Sequence, residues 1–120
     1  MGRILLFAAA ALLMATALIH AGGEAMVAGW VAGLPDFQKQ AVRLVWLTDS
    51  VAWAAVAVVW AAAGWKGERG WLGASAWLLA IPLATAAAIL AIDPGFFGGW
   101  MLLGSAGFAA TGLATSWKRA

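Results

Sequence analysis

The polar positions in this chain are so sparse that they divide it into long apolar runs. Four runs reach the length of a membrane span, about 20 mostly apolar residues at ~1.5 Å rise across a ~30 Å hydrocarbon core. They cover residues Ile4 to about Gly23, Leu44 to Trp65, Trp71 to Ile92 and Pro94 to Trp117. His20 is the only ionisable residue in the first run and Asp49 the only charge in the second; the third and fourth carry none. Continuous apolarity predicts helices. A spanning helix satisfies its backbone polar groups internally, whereas barrel strands alternate apolar and polar residues. The expected fold is all-α: an integral membrane four-helix bundle, with residues 1–120 as a single transmembrane domain and 24–43 as its longest, outer-side connection.

The breaks are specific. Gly64, Lys66, Gly67, Glu68, Arg69 and Gly70 make a charged, Gly-rich turn. Asp93-Pro94-Gly95 is a second turn, with Pro94 suited to the first position of the fourth helix. Pro82 falls inside the third run and predicts a kink, because it removes one helical hydrogen bond. Pro35 disfavours helix at Leu34, and Asp36 is placed to cap the second helix, with Gln38, Lys39 and Gln40 in its first turns. Residues 25–34 allow two readings. Met26, Trp30 and Leu34 recur at helical spacing, so the first helix could run on to residue 34, ~46 Å in all; alternatively Gly22-Gly23 breaks it and the stretch lies in the interface. Residues 1–21 also have the layout of a secretory signal peptide, but the apolar run is long for a signal core and is read as a retained span.

Composition agrees with the pattern. Hydrophobic residues make up 65% of the 120 and charged residues 10%, against near half and a quarter in soluble domains. Both an ordinary soluble domain and a disordered chain are thereby excluded. The absence of Cys removes disulfides, thiolate metal sites and thiol nucleophiles. Of the seven Lys/Arg, Arg3, Lys66, Arg69, Lys118 and Arg119 fall on the side of the termini, and Lys39 and Arg43 on the other. Five against two predicts cytoplasmic termini in a bacterial-type inner membrane. The net charge of +2 is therefore an orientation signal; no basic patch points to nucleic acid.

Candidate chemistry is confined to few residues. Ionisable groups inside a membrane are costly and usually functional. His20, Glu24, Arg43, Asp49 and Asp93 all fall towards the outer side, and packing of four spans is expected to bring them into one polar pocket. The plainest use is an ion-pair network that neutralises Asp49 through Arg43 or His20. The sharper use is a ligand pocket, with the carboxylates for cationic groups and Arg43 for an anionic one. Trp46, Trp53 and Trp60 recur at seven-residue spacing in the second run; this stripe is either bundle core, a lipid-facing ridge, or, through Trp46 and Trp53, an aromatic wall for the ligand. Trp30, Trp65, Trp71, Trp100 and Trp117 fit interfacial positions.

Other chemistry is thinner. One His and no Cys make a poor zinc site, and haem would need a Met as its second ligand, so no metal and no cofactor are expected. Asp49 and Ser50 beside His20 are the residue types of a hydrolase triad, but neighbours on a helix point ~100° apart and no nucleophile-elbow glycines flank Ser50. Gly29/Gly33, Gly95/Gly99 and Gly104, Gly107 and Gly112 offer close helix approach, within the bundle or in a homodimer. In span number and length the chain resembles the small multidrug resistance transporters. Their membrane Glu lies inside the first span, whereas Glu24 stands at its end, so no residue role is carried over. DoxX-like and sterol-isomerase-related bundles are similar at the same level of architecture. The leading expectation is a non-enzymatic protein of the lipid bilayer that binds, or transports, a small molecule or lipid near the outer face. The alternatives are an accessory subunit of a larger membrane complex, and a membrane enzyme using Asp49 or Glu24 as its acid–base group.

Overall fold

A computed structural model of the chain describes residues 1–119, and all of its regular elements are helices. They are α1 (Gly2–Gly22), α2 (Glu24–Trp30), α3 (Asp36–Lys66), α4 (Arg69–Leu78), α5 (Ala80–Ile92) and α6 (Phe97–Trp117). Four helical stretches are long and apolar enough to cross a membrane: Gly2–Gly22, Asp36–Lys66, Arg69–Ile92 and Phe97–Trp117. The protein is thus an all-helical bundle of four candidate spans, 54 × 24 × 19 Å. Its long axis exceeds the ~30 Å thickness of a hydrocarbon core.

α1 is the central helix and packs along both α3 and α6; α5 packs on α6, and α4 on α3. The faces in contact are built from small residues. Ala9, Ala10 and Ala17 of α1 and Ser105, Ala106 and Ala109 of α6 are all buried. At Gly112 the backbones come close: a Cβ there would stand 3.0 Å from the Gly2 carbonyl oxygen and the Leu6 backbone nitrogen. Lipid tails are as apolar as Leu, so close backbone contact and dispersion hold such helices together rather than water expulsion. Gly29, Gly33 and Gly107 have no such neighbour. Leu13, Trp53, Trp60 and Leu102 fill the core between α1, α3 and α6. Trp65, Trp77 and Ile92 lie on the outside, where an apolar side chain suits lipid.

Several boundaries depart from the sequence expectation. The break in the first helix does occur at Gly22-Gly23: Gly23 takes φ −75°, ψ 0° and α2 begins at Glu24. Residues 24–43 are then α2, a short link over 31–35, and the first two turns of α3, which starts at Asp36, close to the helix start read from the sequence and two turns before the apolar run at Leu44. The cap position of α3 is Pro35, not Asp36; the Asp36 carboxylate pairs instead with Lys39, one turn on, at 3.3 Å. The third span is interrupted at Leu79 between α4 and α5. This lies three residues before Pro82, which has no N–H to give the preceding turn and whose ring crowds it. Pro94 does not open the last helix. It sits in the turn, and α6 starts at Phe97, because Asp93 Oδ1 accepts the Gly95 N–H at 2.9 Å and Trp100 Nε1 donates to the Pro94 carbonyl at 2.9 Å. Both bonds hold residues 93–96 as a turn.

Candidate functional site: an aromatic cavity with one carboxylate

The break at Gly23 ends α1 beside the first half of α3. There His20 meets the α3 face that carries Trp46, Ser50 and Trp53, residues four and seven positions apart and so on one side of the helix. The imidazole stacks on Trp46 with ring centroids 3.6 Å apart and planes 15° apart, and the Trp53 indole meets it edge-on at 4.7 Å. Trp46 Nε1 donates to the His20 carbonyl at 2.7 Å, which also accepts the Gly23 N–H at 3.0 Å. His20 Nδ1 lies 2.8 Å from Ser50 Oγ, which lies 3.3 Å from the Trp46 carbonyl. Both bonds form together only if Nδ1–H donates to Ser50 and Ser50 donates to the carbonyl, which leaves Nε2 as the unengaged ring nitrogen. Packing and hydrogen bonds thus lock the end of α1 to α3.

Next to this lock is a cavity of about 500 Å³ between α1 and α3 on one side and α5 and α6 on the other, within the 300–1,000 Å³ typical of ligand sites. His20, Trp46 and Trp53 form one wall, and Ile89, Phe97 and Met101 face them. Asp49 is the only charged residue in the lining. It is half-buried, and among the described residues it makes no hydrogen bond and no ion pair. Asp49 follows Trp46 by three residues, so its carboxylate shares the side of α3 that carries the indoles. Counted from Asp36 it lies ~20 Å along α3, near the middle of that helix.

The pocket expected from the sequence is therefore brought together only in part. His20, Asp49, Trp46 and Trp53 converge on the cavity. Glu24 and Arg43 do not line it; they pair with each other, with Arg43 Nε donating to Glu24 Oε1 at 2.6 Å, and tie α2 to α3. Asp93 is exposed and bound into its own turn. The expectation that Arg43 or His20 neutralises Asp49 in an ion pair is not met among the described residues: Arg43 is taken by Glu24, and His20 Nδ1 lies against Ser50 Oγ. Trp60, the third member of the stripe, is core: it is fully buried and donates to the Ser75 carbonyl at 3.2 Å. Ser50 is buried but does not line the cavity. Among the described residues no three His, Asp or Glu side chains are grouped to hold a metal ion. Sequence reasoning missed Phe96, Phe97 and Met101; the paired aromatics directly after the Asp93 turn were the available signal.

The Glu24–Arg43 pair is half-open to the surroundings, with side chains 32% and 50% exposed. Exposed pairs contribute about 0.2–1 kcal/mol. A double-mutant cycle with Glu24→Gln and Arg43→Gln, followed by thermal unfolding in detergent, is expected to return a coupling within that range. A coupling of several kcal/mol would show the pair to be a structural anchor.

The fold and site together define a four-span helical bundle with an aromatic, single-carboxylate cavity near one end. No known protein family, no characterised protein and no solved structure matches the chain.

Proposed function

We propose that this protein is a non-enzymatic binding protein of the lipid bilayer whose ligand is a small amphipathic organic cation. The observation that carries this reading is Asp49, a carboxylate without a partner in the wall of an otherwise apolar, indole-lined cavity. A charge at that depth costs several kcal/mol unless compensated. An organic cation compensates it, and its apolar groups fill the remaining space. Indole faces add cation–π attraction, about 2 kcal/mol or more when desolvated.

The membrane orientation is part of the same reading. Met1, Arg3, Gly67 and Arg119 meet at one end of the bundle, and five of the seven Lys/Arg belong to that end. The positive-inside rule supports cytoplasmic termini and a cavity towards the outer face of a bacterial-type inner membrane.

Titration of the detergent-solubilised chain with benzyltrimethylammonium, and with its uncharged isostere neopentylbenzene, tests the reading. Trp46 and Trp53 report occupancy through their fluorescence. The cation is expected to bind saturably and about tenfold or more tighter than the isostere. Tighter binding of the isostere would mark a site for neutral apolar ligands. Binding of neither would remove the pocket reading and favour an accessory subunit.

A further inference from the structure

The third span changes partners halfway along. α4 packs on α3, whereas α5 packs on α6 and α4 and builds no interface with α3 or α1 among the described residues. The change falls at the interruption at Leu79, three residues before Pro82. Proline removes a helical hydrogen bond and crowds the turn before it, and a bend at such a point lets α5 stand off α3. The cavity that holds Asp49 occupies the gap. We propose that this gap is a lateral mouth through which a long-chain amphiphile with a quaternary ammonium head enters from the bilayer, with the head at Asp49 and the chain between α3 and α5. This rests on the cation-binding reading above and adds to it the route and the tail.

The walls come first. Asp49 and Trp53 of α3 face Thr85, Ala88 and Ile89 of α5 across the cavity, and α1 and α6, packed on each other, stand behind. Thr85, Ala88 and Ile89 are three and four residues apart, so one face of α5 is turned to the cavity. Ala88 is nevertheless exposed, and Thr85 and Ile89 are only half-buried. No helix covers that face among the described residues.

The chemistry of the rim points to lipid. The run from Trp71 to Ile92 carries no charge. The Thr85 hydroxyl is satisfied within α5, where it donates to the Ile81 carbonyl at 3.0 Å. The rim therefore offers apolar surface, which suits an alkyl chain. At the helix ends the cavity is lined by Met26, Phe96 and Phe97, so apolar side chains also stand on that side of Asp49. The carboxylate remains the only charge in the lining, and it complements a cationic head. Lipid tails are as apolar as the rim, so the head sets the affinity and the chain leaves it nearly unchanged.

Two measurements test the mouth and its occupant. The chain contains no Cys, so Ala88→Cys accepts a single nitroxide label. The bilayer is dioleoylphosphatidylglycerol, whose headgroup brings no cation to the site. The label is expected to collide with oxygen as often as one at Val58→Cys, a position of α3 that is 59% exposed, and rarely with a water-soluble nickel chelate. The reverse preference would show a water-filled mouth. Shielding from both reagents with dipolar broadening would show a second copy across it. Either result overturns lateral entry. In dodecyl maltoside, Trp fluorescence then follows titration with octyl- and hexadecyltrimethylammonium, each expressed as a mole fraction of the micelle. The two are expected to bind within about threefold of each other, and hexadecanol about tenfold or more weakly. If benzyltrimethylammonium binds and hexadecyltrimethylammonium does not, the cavity is closed: the mouth is overturned and the cation reading stands. If hexadecanol binds as well as the cations, or if none of these ligands binds, Asp49 holds no cationic head and both readings fall.

Discussion

Asp49→Asn is expected to weaken binding of benzyltrimethylammonium by about 30-fold or more while leaving the chain folded and no less stable. The two halves of this result have one cause. Asp49 is the only charged residue lining the cavity, so the variant removes the whole counter-charge of the ligand. Truncating one member of a buried charge pair costs about 2–5 kcal/mol, and 2 kcal/mol is about a factor of 30. In the absence of ligand the same carboxylate supports nothing in the fold, since it makes no ion pair and no hydrogen bond among the described residues. An uncompensated charge in a spanning helix is costly, up to about 2.5–3.5 kcal/mol at the bilayer centre and less towards one end, and Asn lowers that cost. A side chain that destabilises the empty protein and stabilises the occupied one is a mark of function over stability. Asp49→Glu should keep much of the binding, because it keeps the charge. Unchanged affinity in Asp49→Asn, with neopentylbenzene binding equally well, would remove Asp49 from the site. A loss of folding would show that Asp49 has a structural role the arrangement of its neighbours does not reveal.

Trp60→Ala is expected to be the most destabilising single truncation in the core, at about 2–3 kcal/mol. Trp60 is fully buried between α1, α3 and α4, and its Nε1–H donates to the Ser75 carbonyl. In soluble proteins Trp→Ala costs about 3–5 kcal/mol, part from transfer to water and part from the cavity left behind. Here the transfer part is small, because the unpacked side chain would meet lipid tails. The cavity part and the lost hydrogen bond remain. Unfolding of the detergent-solubilised variant in a denaturant series would measure the loss. Trp65→Ala is the control: its side chain is 77% exposed, so its effect should stay within about 0.5 kcal/mol. Equal losses at both positions would mean that the indoles act through the surrounding detergent or lipid, and that Trp60 is not the centre of the bundle.

The effects at Asp49 and Trp60 come from a single helix face. Trp46, Trp53 and Trp60 share the seven-residue spacing read from the sequence, yet their neighbours divide them. Trp60 meets α4 and is core. Trp53 is buried at the cavity's inner wall. Trp46 is half-exposed, stacked on His20 and met edge-on by Trp30 at 6.4 Å. A periodic stripe says that three side chains face one way; it does not say what stands opposite. The same limit explains the charged residues. Arg43 and Asp49 are six residues apart, ~9 Å along α3 and about 120° around it, so the helix itself does not bring them into a pair. The first helix breaks at Gly23. Glu24, at the head of α2 just after that break, pairs with Arg43, and no ion pair forms to Asp49 among the described residues.

Most of the architecture was therefore legible along the chain. Four helical spans, the break at Gly22-Gly23 as one of two readings, the charged turn at Gly67 and the interruption caused by Pro82 all follow from local physics. Apolar length, the φ freedom of glycine and the missing N–H of proline act within a few residues of where they are written. The positions that required the three-dimensional structure are those where competing partners, near or distant in sequence, decide which polar groups pair. Pro94 gave up the helix start because Asp93 and Trp100 held the turn around it. Asp93 and Glu24 left the expected pocket because nearer partners satisfied them. Phe96, Phe97 and Met101 entered it because α6 is anchored on α1 through Gly112 and its small neighbours. Sequence spacing determines which face of a helix a residue occupies. Pairing energy and shape determine what that face meets, and those depend on helices that only folding brings together.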